Sequence, residues 1–281
     1  MRPAYPLRQS CEHALEAAWR RARPGAPWRR GIAGYLRSSE DNLLDGIDPA
    51  PVRDAYRRGA GNEWTDRDGI PAKFCAAHSS SALVANSFVP FARYPGDFEA
   101  FGLSGFGEPE LEAICPTGLR GTPPHLDVLL RGDSHVLAIE SKCTEYLAEK
   151  VATFSPAYDT LRGSRFEPAW EGVYDALLRD PRRFSPLDAG QLVKHYLGLR
   201  NSCGACGLTL AYLYWEPRNA NAEIFWRHRD ALTRFSESVA DSSVRFVSAS
   251  YLDLWRAWQR RGIPWLDLHV EGLLARYHVE V

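Results

Sequence analysis

The sequence has little cysteine, a single methionine and no long apolar run. Its 281 residues include six cysteines, too few for a disulfide framework in a chain of this length. No stretch approaches the roughly 18 consecutive apolar residues of a membrane-spanning helix. The residues after Met1 also lack the apolar core of a signal peptide. These absences predict a cytoplasmic protein with no membrane partner.

Charge of one sign is also lacking, because 34 basic residues stand against 35 acidic ones. Overall charge therefore indicates no particular partner. Residues 1–37 are an exception, with eight arginines at positions 2, 8, 20, 21, 23, 29, 30 and 37 against two glutamates. Such a run is typical of a solvated helix face, and contact with phosphate groups is the alternative.

Lysine is scarce and occurs only at positions 73, 142, 150 and 194. The chain therefore uses arginine where it needs only a positive charge. A lysine inside a motif indicates a site that requires a compact ammonium group whose pKa can shift.

The apolar and aromatic fractions, 45% and 12%, suffice for a sizeable core. Periodicity and capping residues predict helices at 9–23, 82–88, 220–235 and 251–261, the last taken as the final helix. Short helices are expected at 32–36 and 51–58, and another helix is expected to start at Ser185. Strands are predicted at 111–115, 126–131, 135–142, 207–215 and 244–248.

The order of these elements predicts an α/β (α+β) fold in which a central sheet is covered by helices. No repeat, low-complexity tract or long linker divides the chain, so we expect a single domain over residues 1–281. Within it, residues 1–77 form a helical and loop addition, and residues 78–215 form the core. Residues 216–281 supply a C-terminal strand and helices that pack on that core.

The two central strands carry the charged residues of greatest chemical interest. Gly132-Asp133 is a typical two-residue hairpin turn between them. A turn at these residues would place Asp127 opposite Ala138, on the same face as Glu140 and Lys142. The hairpin thus predicts two carboxylates and one ammonium group together on an otherwise apolar sheet.

Charged groups in such a place must be paired or bound to a metal ion. Mg²⁺ suits one or two carboxylates together with waters and phosphate oxygens. The pattern therefore predicts metal-assisted phosphodiester hydrolysis, with Mg²⁺ or Mn²⁺ bound by Asp127 and Glu140. Lys142 would orient the attacking water, deprotonate it or stabilise charge. The alternative is a plain cross-strand ion pair between Lys142 and one of the acids.

The stretches Pro124-His125-Leu126-Asp127 and Glu140-Ser141-Lys142 resemble the signature of the PD-(D/E)XK nuclease superfamily, with Leu126 in place of a proline. Residues 121–145 are similar to a bacterial family of restriction endonucleases, and the resemblance extends over about residues 78–215. It implies a restriction-endonuclease-like core in α-β-β-β-α-β order, with helical additions at both ends. It also implies a divalent metal, with the Ser141 carbonyl as a further ligand, and a nucleic-acid substrate, DNA above all.

Two further acids lie near this motif. Glu112, in or beside the preceding strand, could supply a third carboxylate for a second metal ion, and a solvated acid is the alternative. Glu145 follows the end of the strand. It would hold Lys142 in place or bind metal, unless it is a surface acid.

The helices around the motif supply the other supporting residues. Gln191, Lys194 and His195 share one helix face, opposite the apolar stripe. In nucleases of the resembling fold a glutamine on this helix often steadies the site, which suggests that role for Gln191; a solvated polar face is the alternative. Ser80 and Asn86 are expected to brace the first core helix rather than to take part in catalysis.

Two other classes of function remain open at this point. The same fold could serve as a catalytically silent module that binds nucleic acid or assembles with a partner. Cys203 and Cys206 have the spacing of half a zinc site or a redox pair, although no second close pair completes it. If the protein cuts both strands of a duplex, a homodimer is expected.

Overall fold

The computed structural model describes residues 5–58, 63–204 and 206–281. Arg2 of the arginine run and Ala205 between the two spaced cysteines lie outside the described residues, as does Met1. Within the described part, the α-helices are α1 Tyr5–Ala22, α2 Pro49–Arg58, α3 Ser80–Phe88, α4 Pro168–Arg179, α5 Ala189–Ser202, α6 Glu223–Ser238, α7 Tyr251–Gln259 and α8 Pro264–Tyr277.

Five strands form one mixed sheet in the order β1-β2-β3-β4-β5. Their bounds are β1 Glu110–Ile114, β2 His125–Arg131, β3 His135–Lys142, β4 Gly207–Tyr214 and β5 Val244–Ser250. The first three strands pair antiparallel, whereas β4 and β5 run parallel to β3. The predicted sheet with flanking helices is therefore observed, and every strand begins and ends within two residues of its predicted bounds.

The centre of the sheet is buried because helices cover it. Nearly all residues of β3 and β4 are buried, as expected for strands whose two faces both contact other elements. Helix α3 contacts β2 and β3, α5 contacts β4, and α6 and α7 contact β5. The polar end of β3, at Glu140-Ser141-Lys142, thus emerges from an apolar core beside α3 and α5.

The hairpin between β2 and β3 differs from the predicted one by two residues in register. The Gly132 amide donates to the His135 carbonyl at 2.9 Å, so the turn residues are Asp133 and Ser134 instead of Gly132 and Asp133. Leu129, not Asp127, is opposite Ala138. Because side chains alternate with a period of two, this shift leaves Asp127 and Glu140 on a common face.

Two of the predicted helix positions are wrong. Residues 32–36 form no helix, because Gly31 and Gly34 take positive φ angles of 80° and 77°, and the segment instead makes isolated bridges. Helix α5 starts after Asp188 rather than at Ser185. The Asp188 side chain accepts from the Gln191 amide at 3.1 Å and so supplies the N-cap.

A further helix, α8, follows the one predicted to be the last. Pro264 at its first turn and Asp267 in the same turn are its sequence signals. It packs against α1 and α7. No helix among the described residues is both long and apolar enough to cross a membrane.

Candidate active site

A cleft of about 620 Å³ opens where the polar end of β3 meets α3 and α5. All of the predicted site residues except Asn86 line this cleft.

Three carboxylates stand in one row across the sheet. Because Ala113 pairs with Leu126, the register places Glu112 opposite Asp127. The register of β2 and β3 in turn places Asp127 opposite Glu140. Glu112 has a φ of 52°, a left-handed conformation that costs a non-glycine residue about 1–2 kcal/mol. The regular pairing between strands is interrupted at this row.

Asp127 is anchored by the main chain of the neighbouring strand. Its Oδ2 atom accepts a hydrogen bond from the Ser141 amide at 2.6 Å. Burial, reinforced by the nearby charge of Glu140, raises the pKa of the Asp127 carboxyl well above its usual range. Without a cation, this carboxyl therefore favours its protonated form.

Glu140 and Lys142 form a buried ion pair. The Lys142 Nζ atom donates to Glu140 Oε1 and, at 2.9 Å, to Gln191 Oε1. Burial alone would raise the pKa of Glu140, but the electrostatic interactions with Lys142 and His195 together outweigh burial, and the pKa falls to about 2. Burial likewise opposes the charge on Lys142, yet the charge of Glu140 raises the pKa of Lys142 above its usual value. The pair is therefore ionised.

Glu112, the outermost carboxylate of the row, also lies near a further acid that lines the cleft, Glu63. Burial, together with the charges of Glu63 and Glu140, raises the pKa of Glu112 to about 7. Glu63 accepts from the Ser81 hydroxyl and pairs with Lys73 at 3.2 Å. The alternative that Glu112 is a solvated acid is therefore wrong, because its side chain is largely buried in the cleft.

The remaining predicted residues have local structural contacts. Glu145 Oε2 accepts from the Cys143 amide at 2.6 Å. Ser80 is the first residue of α3, and Ser79, not Ser80, is its N-cap. Asn86 lies away from the cleft, where its amide group donates to the Asn42 carbonyl at 3.0 Å.

The structure adds His195 to the site, a residue for which the sequence pattern predicted no role there. His195 lies one helical turn after Gln191, only 1% exposed, with its Nε2 atom 2.8 Å from Glu140 Oε2. A solvated position for His195 is therefore wrong. The i, i+4 spacing from Gln191 was the signal that could have identified it.

The N-terminal segment also contributes side chains to the cleft. Arg8, Tyr35, Glu63 and Lys73 line it, although all four precede the predicted core. No local pattern marks them, because contacts over such long sequence separations leave no periodicity. Arg8 pairs with Glu12 at 2.8 Å, one of several ion pairs in the arginine-rich region.

The two spaced cysteines differ in environment. Cys203 is buried and Cys206 is exposed, and neither is in a disulfide. Throughout the ranges that the structure describes, no group of three or more His, Cys, Asp or Glu side chains is arranged to hold a metal ion by itself. Nothing in this region therefore supports a closed zinc site.

The carboxylate row nevertheless fits a hard divalent cation. Its three carboxylates are accompanied by one ammonium group, that of Lys142. Burial and neighbouring carboxylates raise the pKa of Asp127 and of Glu112, so both groups would be stabilised by additional positive charge. A divalent cation would supply that charge. Mg²⁺ keeps several waters and needs only one or two carboxylates, so Asp127, Glu140 and a main-chain carbonyl form an adequate donor set.

Comparison with protein families identifies the class: the chain belongs to a restriction-endonuclease-like family. The family is described as "Restriction Endonuclease associating with ARP", and its model matches residues 29–278. The match extends beyond both ends of the 78–215 segment in which the resemblance was expected. Comparisons with curated proteins and with solved structures find no match.

Proposed function

We propose that this chain is a metal-dependent nuclease that hydrolyses phosphodiester bonds, and that it acts as a DNA endonuclease. The observation that carries the proposal is the convergence of Asp127, Glu140 and Lys142 on one cleft. Membership of a restriction-endonuclease-like family supports it independently of the geometry. The proposed core is the restriction-endonuclease-like arrangement of α3, the five-stranded sheet and α5.

Asp127, Glu140 and the Ser141 carbonyl are the proposed ligands of Mg²⁺ or Mn²⁺. When bound, the cation would lower the pKa of a coordinated water and offset charge that develops on the phosphate. The Ser141 amide fixes the Asp127 carboxylate, and Lys142 fixes that of Glu140. The chain's own contribution is thus to hold two oxygen ligands in place at the end of a rigid hairpin.

Lys142 acts in this proposal as a fixed positive charge beside the phosphate. The charge of Glu140 raises its pKa, which favours the ammonium form and disfavours removal of a proton from water by Lys142. The Gln191 amide oxygen orients the ammonium group. Lys142 would therefore stabilise the negative charge of the transition state and position the attacking water.

Further positive charges line the same cleft. Arg8, Lys73 and Lys194 line the cleft together with the acidic row, which suits the entry of a polyanionic strand. These residues supply phosphate contacts without base recognition. Two copies of the chain would be needed to cut both strands of a duplex with one site each.

A catalytically silent binding or assembly module is the second candidate. The observation in its favour is that Lys142 is already paired with Glu140 and Gln191. The family description also names association with ARP, which suits an assembly role. Such a module would bind DNA or a protein partner without metal-dependent turnover.

Cleavage of plasmid and single-stranded DNA with Mg²⁺ or Mn²⁺ tests the proposal. Lys142→Ala is expected to lower the cleavage rate by at least about 100-fold, since it removes the positive charge that would stabilise the transition state. Lys150→Ala is the matched control, because Lys150 lies outside the cleft. Equal rates for wild type and Lys142→Ala would contradict the assignment. Metal-independent DNA binding without any cleavage would support the silent module.

A further inference from the structure

The contact between His195 and Glu140 has an unusual form. The two side chains are almost completely buried, and His195 Nε2 lies 2.8 Å from Glu140 Oε2. Yet within the described residues neither atom makes a hydrogen bond of acceptable geometry. The other ring nitrogen, Nδ1, also has no partner there. The two buried polar atoms therefore lie at ion-pair distance without the alignment of a hydrogen bond.

Buried polar atoms are nearly always satisfied, and an exception calls for a missing partner such as an ion. An imidazole without a proton on Nε2 and a carboxylate oxygen both offer a lone pair, so a cation can satisfy the two together. Lys142 does not fill this role, because it donates to the other carboxylate oxygen, Oε1. The Oε2 atom is thus the one left for a further ligand.

We propose that His195 Nε2 is a ligand of the divalent cation at Glu140, and that this site selects Mn²⁺ over Mg²⁺. The inference rests on the proposed metal-dependent function and adds a nitrogen ligand to the oxygen donors named there. Mg²⁺ prefers oxygen ligands only, whereas an imidazole raises the affinity for first-row transition ions. Helix α5 would then hold the metal site directly as well as through Gln191.

His125 is the obvious competitor, since it lines the same cleft and lies beside Glu112 in the acidic row. Its Nδ1 atom lies 3.8 Å from Glu112 Oε2 rather than near Glu140. It is also more exposed than His195, with a side-chain exposure of 16% against 1%. His125 therefore provides a matched control of the same residue type in the same cleft.

The test is pulsed electron paramagnetic resonance of the full chain, without a histidine tag, loaded with one equivalent of Mn²⁺. The wild type is expected to show ¹⁴N coupling from a directly bound imidazole. His195→Gln should lose this coupling, whereas His125→Gln should retain it. Competition between the two metals should also show the preference for Mn²⁺ over Mg²⁺ falling by at least about tenfold in His195→Gln.

Mn²⁺ that binds the wild type without ¹⁴N coupling would overturn the inference, whether or not the variants fold. So would coupling that survives in His195→Gln or disappears only in His125→Gln. These results leave the proposed function intact if metal-dependent cleavage is observed. A wild type that neither binds Mn²⁺ nor cleaves DNA would overturn the proposed function as well. Circular dichroism of each variant confirms that a lost signal reflects a lost ligand.

Discussion

Asp127 shows how burial and charge act on one side chain of the site. Its carboxyl is held by the Ser141 amide, and burial together with the charge of Glu140 raises its pKa. Protonation therefore lowers the free-energy cost of burying this carboxyl when no metal is bound. Metal binding must displace that proton, so affinity for metal should rise with pH.

Asp127→Asn tests this description, because asparagine resembles the protonated carboxyl in shape and charge. Without metal, we expect the melting temperature to change little. With Mn²⁺ at 100 times its Kd, the wild type should gain about 2.7 kcal/mol, whereas the variant should gain none. Thermal unfolding with and without metal measures both. Asp230→Asn, an exposed change on α6, is the control, and an equal gain in Asp127→Asn would contradict the proposed ligand.

His228 makes a prediction about pH that does not depend on the metal. It is fully buried, its ring stacks on Tyr146 at 4.0 Å, and its Nε2 lies 3.1 Å from the Tyr212 hydroxyl. Burial and, to a lesser extent, the charge of Arg229 lower its pKa to about 3. Between about pH 6.5 and pH 3, His228 is therefore protonated in the unfolded chain but neutral in the folded chain.

The free energy of unfolding should accordingly fall as the pH drops through this window, by up to about 1.4 kcal/mol per pH unit from this group. Urea unfolding in EDTA between pH 7 and pH 4 measures the slope. His228→Gln should flatten it relative to the wild type. The exposed His13 offers a matched change, His13→Gln, that should leave the slope as it is. Identical slopes in all three proteins would refute this assignment.

At the level of elements, the strands were predictable because their signals are local. Apolar residues fill β2 and β3, and the period of two places Asp127, Glu140 and Lys142 on one face whether the turn begins at residue 132 or 133. The face of each residue was therefore predicted correctly despite an error of two residues in register. The carboxylates are in fact closer in register than expected, directly opposite rather than diagonal.

The helices and the wider site were harder to predict, since they depend on distant contacts. Asp188 competes with Ser185 as the helix cap, and only the fold selects between them. The spacing of His195 from Gln191 pointed to the site but also fits a solvated helix face, so the pattern did not distinguish the two positions. Glu63 and Arg8 reach the cleft from the N-terminal segment and have no sequence motif.

Helix α5 is positioned by one close approach. A Cβ atom at Gly198 would collide with the carbonyl oxygen of Cys115 just beyond β1, so the helix can lie this near the sheet only with glycine there. Gly198→Ala should displace the helix and destabilise the protein by about 1–3 kcal/mol. Because α5 carries Gln191 and His195, cleavage should also slow.

Gly172→Ala in α4 is the matched control, since nothing lies within 4 Å of its added Cβ. It should be neutral or stabilise by up to about 1 kcal/mol, as alanine favours a helix. Thermal unfolding and cleavage rates of both variants provide the measurement. A Gly198→Ala protein as stable as Gly172→Ala would mean that the close approach does not position α5.

On the scale of the whole molecule, α8 links the N-terminal segment to the sheet. Arg276 donates to the Asn42 carbonyl at 2.6 Å and lies 4.1 Å from the centre of the Trp19 ring. The Trp215 indole, just beyond β4, donates to the Tyr277 carbonyl at 2.7 Å. One buried apolar cluster includes residues from Cys11 to Val279.

The single domain expected from the sequence remains a prediction, and these contacts supply its test. Scanning calorimetry of the full chain should show one transition with a calorimetric enthalpy equal to the van't Hoff enthalpy. Arg276→Ala should lower the free energy of unfolding by the several kcal/mol typical of losing a buried hydrogen-bonded group. The variant should still unfold in one transition. Two resolved transitions in the wild type would show that the N-terminal segment unfolds separately.

The scarcity of lysine has a practical consequence for spectroscopy. Three of the four lysines, Lys73, Lys142 and Lys194, line the cleft, and only Lys150 lies outside it. Reductive methylation with ¹³C-labelled formaldehyde modifies lysine amines and leaves arginine unchanged. In this chain it would place three of the four lysine reporter groups around one site. The few resulting methyl signals would follow the arrival of metal and nucleic acid with almost no background from the rest of the surface.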